Sequence, residues 1–282
     1  MEIIVHRVNA FTAGDNSGNP AGVVLNADNL SEDQMLKIAT EVGFSETAFI
    51  SESEVADKRL RFFTSMKEVD LCGHATIASW AFMYRREELE AGQYRQETNA
   101  GMLKVDVGDD GLVFMEQAKA GFYEYIDKVK IMNALGLAVE NFDQNLQPQV
   151  VSTGLRNLFV AVSTEQILNS MKVDIDVLKS LSREIKIAGV HVFYVSDDED
   201  MAAAARNYAP LVGIDEESAT GTANGAMLSY LIENNAITNR QNYKVEQGKA
   251  MGNTSHIYGK MIDGKIWVGG RAELIKEIKV NI

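Results

Sequence analysis

A chain of 282 residues, 46% hydrophobic and 24% charged, has the composition of a globular protein of one large or two ordinary domains. Its net charge of −13 argues against a nucleic-acid partner, although a local positive site for a small acid stays open. The single cysteine, Cys72, excludes an intramolecular disulfide, and no run approaches the roughly 18 apolar residues of a membrane span, so a cytoplasmic protein without membrane contact is expected.

Residues 1–8 read as strand rather than as a secretory leader. Residues 3–12 and 20–26 are predicted strands around the turn-rich Gly14-Asp15-Asn16-Ser17-Gly18-Asn19-Pro20. Ser31 is suited to cap a helix that runs to about Glu41 and that Gly43 ends. Strands follow at 44–51 and 58–64. In Phe44-Ser45-Glu46-Thr47-Ala48-Phe49-Ile50, alternation puts Glu46 on the face of Phe44, Ala48 and Ile50, aimed inward. Burial without a partner raises a carboxyl pKa and suits it to proton transfer near neutral pH. An edge-strand glutamate that discourages sheet pairing, or a solvated one, fits the same pattern.

A helix is predicted from Gly73 through Ile77, Trp80, Ala81 and Tyr84. Residues 92–116 read as two or three strands with Asp109-Asp110-Gly111 as a hairpin turn. From about residue 120 the pattern begins again. A helix at 127–137, strands at 149–153 and 157–163, a helix near 174–182 and a strand at 190–196 lead to a second glycine-led helix at Gly221, which carries Ala226, Met227, Tyr230, Leu231 and Ile232. Strands at 242–247, 256–263, 265–269 and 272–281 close the chain, with Asp263-Gly264 as a turn. A helix start offers unpaired N–H groups to an anion, and glycine lets a ligand approach the backbone. The two glycines lie about half the chain apart, which suggests two similar lobes, each offering a helix start to one cleft. Ordinary helix starts with small residues for tight packing account for either one alone.

Several chemistries lack their motifs. There is no GxxxxGK[ST], no GxGxxG opening a helix and no Gly-x-Ser-x-Gly. None of the four histidines, His6, His74, His191 and His256, is spaced with another His or Cys as a zinc pair, and Cys72-Gly73-His74 shows no further ligand, so no metal is expected. No lysine stands in a recognisable pyridoxal context.

Gly18-Asn19-Pro20-Ala21-Gly22-Val23, Phe44-Ser45-Glu46-Thr47-Ala48-Phe49, Arg61-Phe62-Phe63-Thr64, Leu71-Cys72-Gly73-His74-Ala75-Thr76, Ala219-Thr220-Gly221-Thr222-Ala223, Glu246-Gln247-Gly248 and Met251-Gly252 occur in the order found in the PhzF family. In these motifs the chain resembles that phenazine-biosynthesis-like group of isomerases and epimerases over residues 1 to about 255. The resemblance implies an α+β fold like that of diaminopimelate epimerase. Two similar lobes would each wrap a mostly antiparallel, barrel-like sheet around a central helix, with the active site in the cleft between them. One lobe would span 1–118 with the last strand, about 271–282, and the other 119–270. It further implies cofactor-free proton transfer on a small carboxylate, with Glu46 and His74 catalytic. Asn19, Cys72, Gly73, Glu217, Gly221 and Thr222 would bind the substrate, and a homodimer follows from the family alone. Glu217 and Thr222 stand where relatives carry Asp and Ser, and Asn253-Thr254 replaces a common Arg-Pro. Diaminopimelate epimerase uses a cysteine before each glycine-led helix. Here Cys72 holds the first position and Thr220 the second, so a thiol pair cannot operate; a small buried apolar role for Cys72 is the alternative. A non-catalytic binding or regulatory relative would keep the same framework.

Overall fold

In the computed structural model, residues 1–14, 17–238 and 242–282 are described; Asp15 and Asn16 of the turn-rich segment lie outside them. The fold is mixed α/β and dominated by sheet. Its elements are β1 (Glu2–Ala10), β2 (Asn19–Val24), α1 (Glu32–Val42), β3 (Thr47–Ser51), β4 (Lys58–Phe63), β5 (Glu68–Val69), α2 (Gly73–Arg85), β6 (Gly92–Thr98), β7 (Gly101–Val107), β8 (Val113–Glu116), β9 (Gly121–Tyr125), α3 (Lys128–Leu135), β10 (Gln149–Ser152), β11 (Arg156–Ala161), α4 (Glu165–Ser170), α5 (Ile175–Glu184), β12 (Gly189–Val195), β13 (Ala203–Ala209), β14 (Ile214–Glu217), α6 (Gly221–Glu233), β15 (Tyr243–Gln247), β16 (Ser255–Ile262), β17 (Lys265–Gly270) and β18 (Ala272–Asn281). Residues 1–116 with 269–282 form one compact unit, and residues 117–268 form a second. Among the described residues no helix is long and apolar enough to cross a membrane.

The two units repeat one succession of pairings. In the first, β1–β2 is antiparallel, β2–β3 parallel, β3–β4 antiparallel, β4–β6 parallel and β6–β7 antiparallel. In the second, β10–β11, β11–β12, β12–β13, β13–β15 and β15–β16 follow the same sequence of senses. Each unit also has a short strand, β5 or β14, immediately before its glycine-led helix.

Local chemistry sets the helix ends. Ser31 Oγ accepts from Gln34 N at 3.3 Å while Gln34 Oε1 accepts from Ser31 N at 2.9 Å, a reciprocal cap on α1. Gly43 ends that helix with φ 68°, a left-handed conformation that suits glycine. Asp127 caps α3 and Asp174 caps α5, each accepting from a first-turn N–H.

Strand β3 begins at Thr47, three residues later than the alternation predicts, so Glu46 lies in the irregular stretch before it. Four consecutive residues, Thr47 to Ile50, are buried, because both faces of this part of the sheet are covered. Phe49 and Phe63 meet Met35, Ile38 and Ala39 of α1 on one side, and α2 packs against β1, β2, β3 and β18. Strand β13 escapes prediction because Ala203-Ala204-Ala205 carries helix propensity. The short β9, β14 and α4 are likewise absent from the sequence reading.

In the second unit β11 and β12 are covered on both faces as well. Leu158, Val160, Val190 and Val192 join Ile131, Leu135, Leu178 and Leu181 in one cluster. Phe159 and Phe193 instead lie against Tyr230 of α6, at ring separations of 6.4 and 6.1 Å. His191 is fully buried on that face and its Nδ1–H donates to Asn207 Oδ1 at 3.1 Å. Burial lowers the His191 pKa from its ordinary 6.5 to about 4, against the opposing hydrogen bonds of Asn207 and Asn224.

The unfolded chain therefore takes up this proton near pH 6.5 and the native chain only near pH 4. The stabilisation from a neutral His191 is complete above pH 6.5 and fades as pH falls through that window, by roughly 3 kcal/mol in total. Urea unfolding of wild type and His191→Gln at pH 7 and at pH 4.5 reads this out. Wild type should lose more stability over the interval than the variant, and equal losses would contradict the assignment.

Candidate active site

Gly22 of β2 brings Glu46 into place. Its N–H donates to the Glu46 carbonyl at 3.1 Å, just below the point where β2 and β3 become parallel partners. A Cβ on Gly22 would lie 2.6 Å from Thr47 Oγ1 and 2.9 Å from Thr47 Cγ2, so only glycine permits this approach. The Glu46 side chain is half-buried, at 23% exposure, and points at His74. The unpartnered burial that the alternation suggests is therefore not what the fold provides.

Helix α2 begins immediately after Cys72, whose backbone is extended at φ −138° and ψ 115°. Its carbonyl accepts from both Thr76 N at 3.0 Å and Thr76 Oγ1 at 2.8 Å, which locks the first turn. The Cys72 side chain makes no cap hydrogen bond here, and a helix start of this kind suits an anion. A Cβ on Gly73 would meet only the end of Met115, at 3.7 Å. Packing therefore does not demand glycine there, whereas access to the backbone benefits from it.

Three proton-carrying groups converge at this start. Glu46 Oε2 lies 3.5 Å from His74 Nε2, and Cys72 Sγ lies 3.3 Å from His74 Nδ1. Ser45 Oγ, which the sequence reading did not single out, is 3.5 Å from the same Nε2. His74 and Cys72 are buried. Desolvation lowers the His74 pKa, opposed by the Glu46 carboxylate and by a hydrogen bond to the Pro20 carbonyl, so the ring is neutral at neutral pH. The spacing Cys72-Gly73-His74 showed no third ligand in sequence. Folding supplies one in Glu46, whose carboxylate joins the thiol and imidazole within 4.8 Å. Asn19 is buried at the first position of β2, opposite Ala10.

The second unit places Glu217, Gly221 and Thr222 around the start of α6. This helix matches α2 in length, 13 residues each, and its start residue Thr220 has the same extended backbone, φ −131° and ψ 101°. Thr220 Oγ1 donates to Glu217 Oε2 at 2.7 Å, so the Glu217 carboxylate is engaged next to the helix start. The Thr222 carbonyl accepts from Thr153 Oγ1 at 3.2 Å. Gln247, fully buried at the end of β15, holds the turn together. Its Nε2 donates to the Glu217 carbonyl at 2.7 Å, and its Oε1 accepts from Asn224 Nδ2 at 2.6 Å and Thr220 N at 3.3 Å. The first unit has the same device: Gln96 of β6 donates to Thr76 Oγ1 at 3.3 Å and accepts from Trp80 Nε1 at 2.7 Å. Gln247 stands inside a recognised motif, but its role there needs the paired strands to be seen.

The surface cavity beside Asp127 in the second unit and the one beside Tyr84 in the first include none of Glu46, Cys72 and His74.

Residues 8–277 match the family described as phenazine biosynthesis-like proteins. An uncharacterized isomerase of Clostridium acetobutylicum is 38% identical over 260 residues, covering 88% of this chain and 86% of its own. The crystal structure of a Bacillus anthracis phenazine biosynthesis protein of the PhzF family superposes with a TM-score of 0.89 at 33% identity, over all of both chains. A hydroxyproline epimerase of Agrobacterium vitis, crystallised with trans-4-hydroxy-L-proline, shares the fold at TM-score 0.61 and 14% identity, over 99% of this chain and 92% of its own. The fold and these relatives define an isomerase. The chain belongs to the PhzF family.

The Gly22 contact gives a direct test. Gly22→Ala forces Thr47 and the segment carrying Glu46 to shift, at a cost of about 1–3 kcal/mol as for other overpacked sites. Urea unfolding of the variant should show that loss, and an unchanged midpoint would mean the close approach is not required.

Proposed function

We propose that this isomerase moves a proton on a small carboxylate-containing metabolite without a cofactor, and that Glu46 is its acid/base group. The observation that carries the reading is the contact of Glu46 Oε2 with His74 Nε2 at 3.5 Å, beside the start of α2. A carboxylate on a half-exposed side chain can reach a carbon-bound proton, and the neutral imidazole next to it can accept or relay one. Backbone N–H groups at Gly73 face the charge that develops when a proton leaves a carbon next to a carbonyl. Return of a proton from Glu46, His74 or Cys72 at another carbon, or at the opposite face, completes an isomerisation or epimerisation.

Asn19, Cys72 and Gly73 in the first unit and Glu217, Gly221 and Thr222 in the second are assigned to substrate binding on the same reading. The repeated strand pairings support two similar lobes, each built around its glycine-led helix, as in diaminopimelate epimerase. Relatives named as isomerases and epimerases support the reaction class.

Solvent exchange is the test. In D2O, small amino, hydroxy and unsaturated carboxylates are screened for deuterium uptake by mass spectrometry. The substrate should gain deuterium with wild type, and Glu46→Gln should lower the rate by roughly a hundredfold or more, as expected for loss of a general acid/base. Unchanged exchange by folded Glu46→Gln removes Glu46 from this role. A wild type that binds a carboxylate tightly but never exchanges its protons would be a binding relative instead.

A further inference from the structure

We propose that Glu46, Cys72 and His74 form a binding site for a zinc-class divalent cation, and that the bound ion blocks the proton transfer assigned to the same residues. The blocking half rests on the functional reading above, whereas the binding half stands on geometry alone. Thiolate, imidazole and carboxylate are the three side-chain ligands that zinc takes. Among the described residues, these three are the one group of His, Cys, Asp or Glu side chains whose donor atoms meet this closely, all within 4.8 Å of one another.

His74 is the pivot of the group. Its Nε2 lies 3.5 Å from Glu46 Oε2 and 4.0 Å from Cys72 Sγ. Around tetrahedral zinc, bonds of about 2.0 Å to nitrogen and oxygen and about 2.3 Å to sulfur set donor atoms roughly 3.3–3.6 Å apart. The Glu46–His74 separation matches that spacing, whereas Cys72 Sγ, 3.3 Å from Nδ1 and 4.0 Å from Nε2, meets an ion held on Nε2 once the Cys72 and Glu46 side chains turn toward it. Glu46 is placed for such a movement because it precedes β3 and is half-exposed. The buried helix start fixes the backbone of Cys72 and His74, and the Pro20 carbonyl supports the imidazole as outer partners of ligating histidines do. Ser45 Oγ, 3.5 Å from Nε2, is a candidate for the fourth ligand position.

The sulfur ligand sets the selectivity. It favours zinc, cobalt and cadmium over magnesium and calcium. On binding, the Cys72 thiol releases its proton to solvent as the metal–sulfur bond forms, and nothing is oxidised or reduced. The ion then occupies the carboxylate oxygen and imidazole nitrogen that the reaction needs for the substrate proton. It acts against turnover rather than for it.

The test titrates metal-free wild type with Co2+ and then competes with Zn2+. A near-ultraviolet thiolate-to-cobalt band with strong tetrahedral visible bands is expected, both bleached by Zn2+ and untouched by Mg2+. Cys72→Ser should abolish the near-ultraviolet band, and Glu46→Gln should weaken zinc binding roughly tenfold or more, with circular dichroism confirming that each variant is folded. X-ray absorption of zinc-loaded wild type needs no variant and should find one sulfur among nitrogen and oxygen ligands. Cobalt spectra without a thiolate band, zinc coordinated by nitrogen and oxygen alone, or equal zinc affinity in wild type and both variants would overturn the site. Deuterium exchange that continues with zinc bound would overturn the blocking half. Absence of exchange in metal-free protein with the cobalt spectrum intact would instead count against the isomerase reading and leave the site standing.

Discussion

A helix buried inside a sheet protein must find hydrogen-bond partners for its own polar start, and this constraint organises both units. Ten of the residues of α2 are buried, and α6 is nearly as enclosed. On the inner side of the first turn, an amide from a strand meets the helix's own polar side chains. Gln96 and Gln247 are both fully buried, and each comes from the strand that follows its helix to bond the residue three positions after the leading glycine, Thr76 or Asn224. An amide both donates and accepts, so one side chain can satisfy two neighbours with opposite needs. The outer side of each helix start is thereby left for other work.

The repeated framework carries unequal chemistry. The first unit has Glu46 before β3, with Cys72 and His74 at the helix start. At the corresponding places the second unit has Ala188 before β12, with Thr220 and Thr222 at the helix start. A carboxyl, a thiol and an imidazole therefore meet at this place in the first unit, and the corresponding positions of the second carry none of them. The other repeat offers hydroxyls, an engaged carboxylate and backbone N–H groups, which suit holding a ligand more than changing it.

Much of this was legible from residues alone. Ser31, Gly43 and the two glycine-led helices announce themselves because capping chemistry is local. The convergence of Glu46 with Cys72 and His74 follows from ordered motifs, not from spacing, because a loop 26 residues upstream has no fixed distance to a helix start until β2 and β3 pair. Alternation misled at Glu46 because a strand covered on both faces has no outward side to mark its period. Strand β13 stayed hidden because alanine expresses helix propensity locally and strand pairing only in context. Gln96 and Gln247 look like surface amides in a list of residues; only their burial beneath the helix starts shows what they do.

The pairing of β1 with β18 has a consequence for how the chain comes to be folded. Glu2 to Ala10 lie against Ala272 to Asn281, so the first unit is closed by residues made after the whole of the second. As the chain leaves the ribosome, the second unit can gather its own strands while one edge of β1 still waits. An open edge of this length is a template for pairing with a neighbouring chain. Early residues are thus committed to a late partner, and a chain that stops short of β18 carries that edge exposed for as long as it lasts.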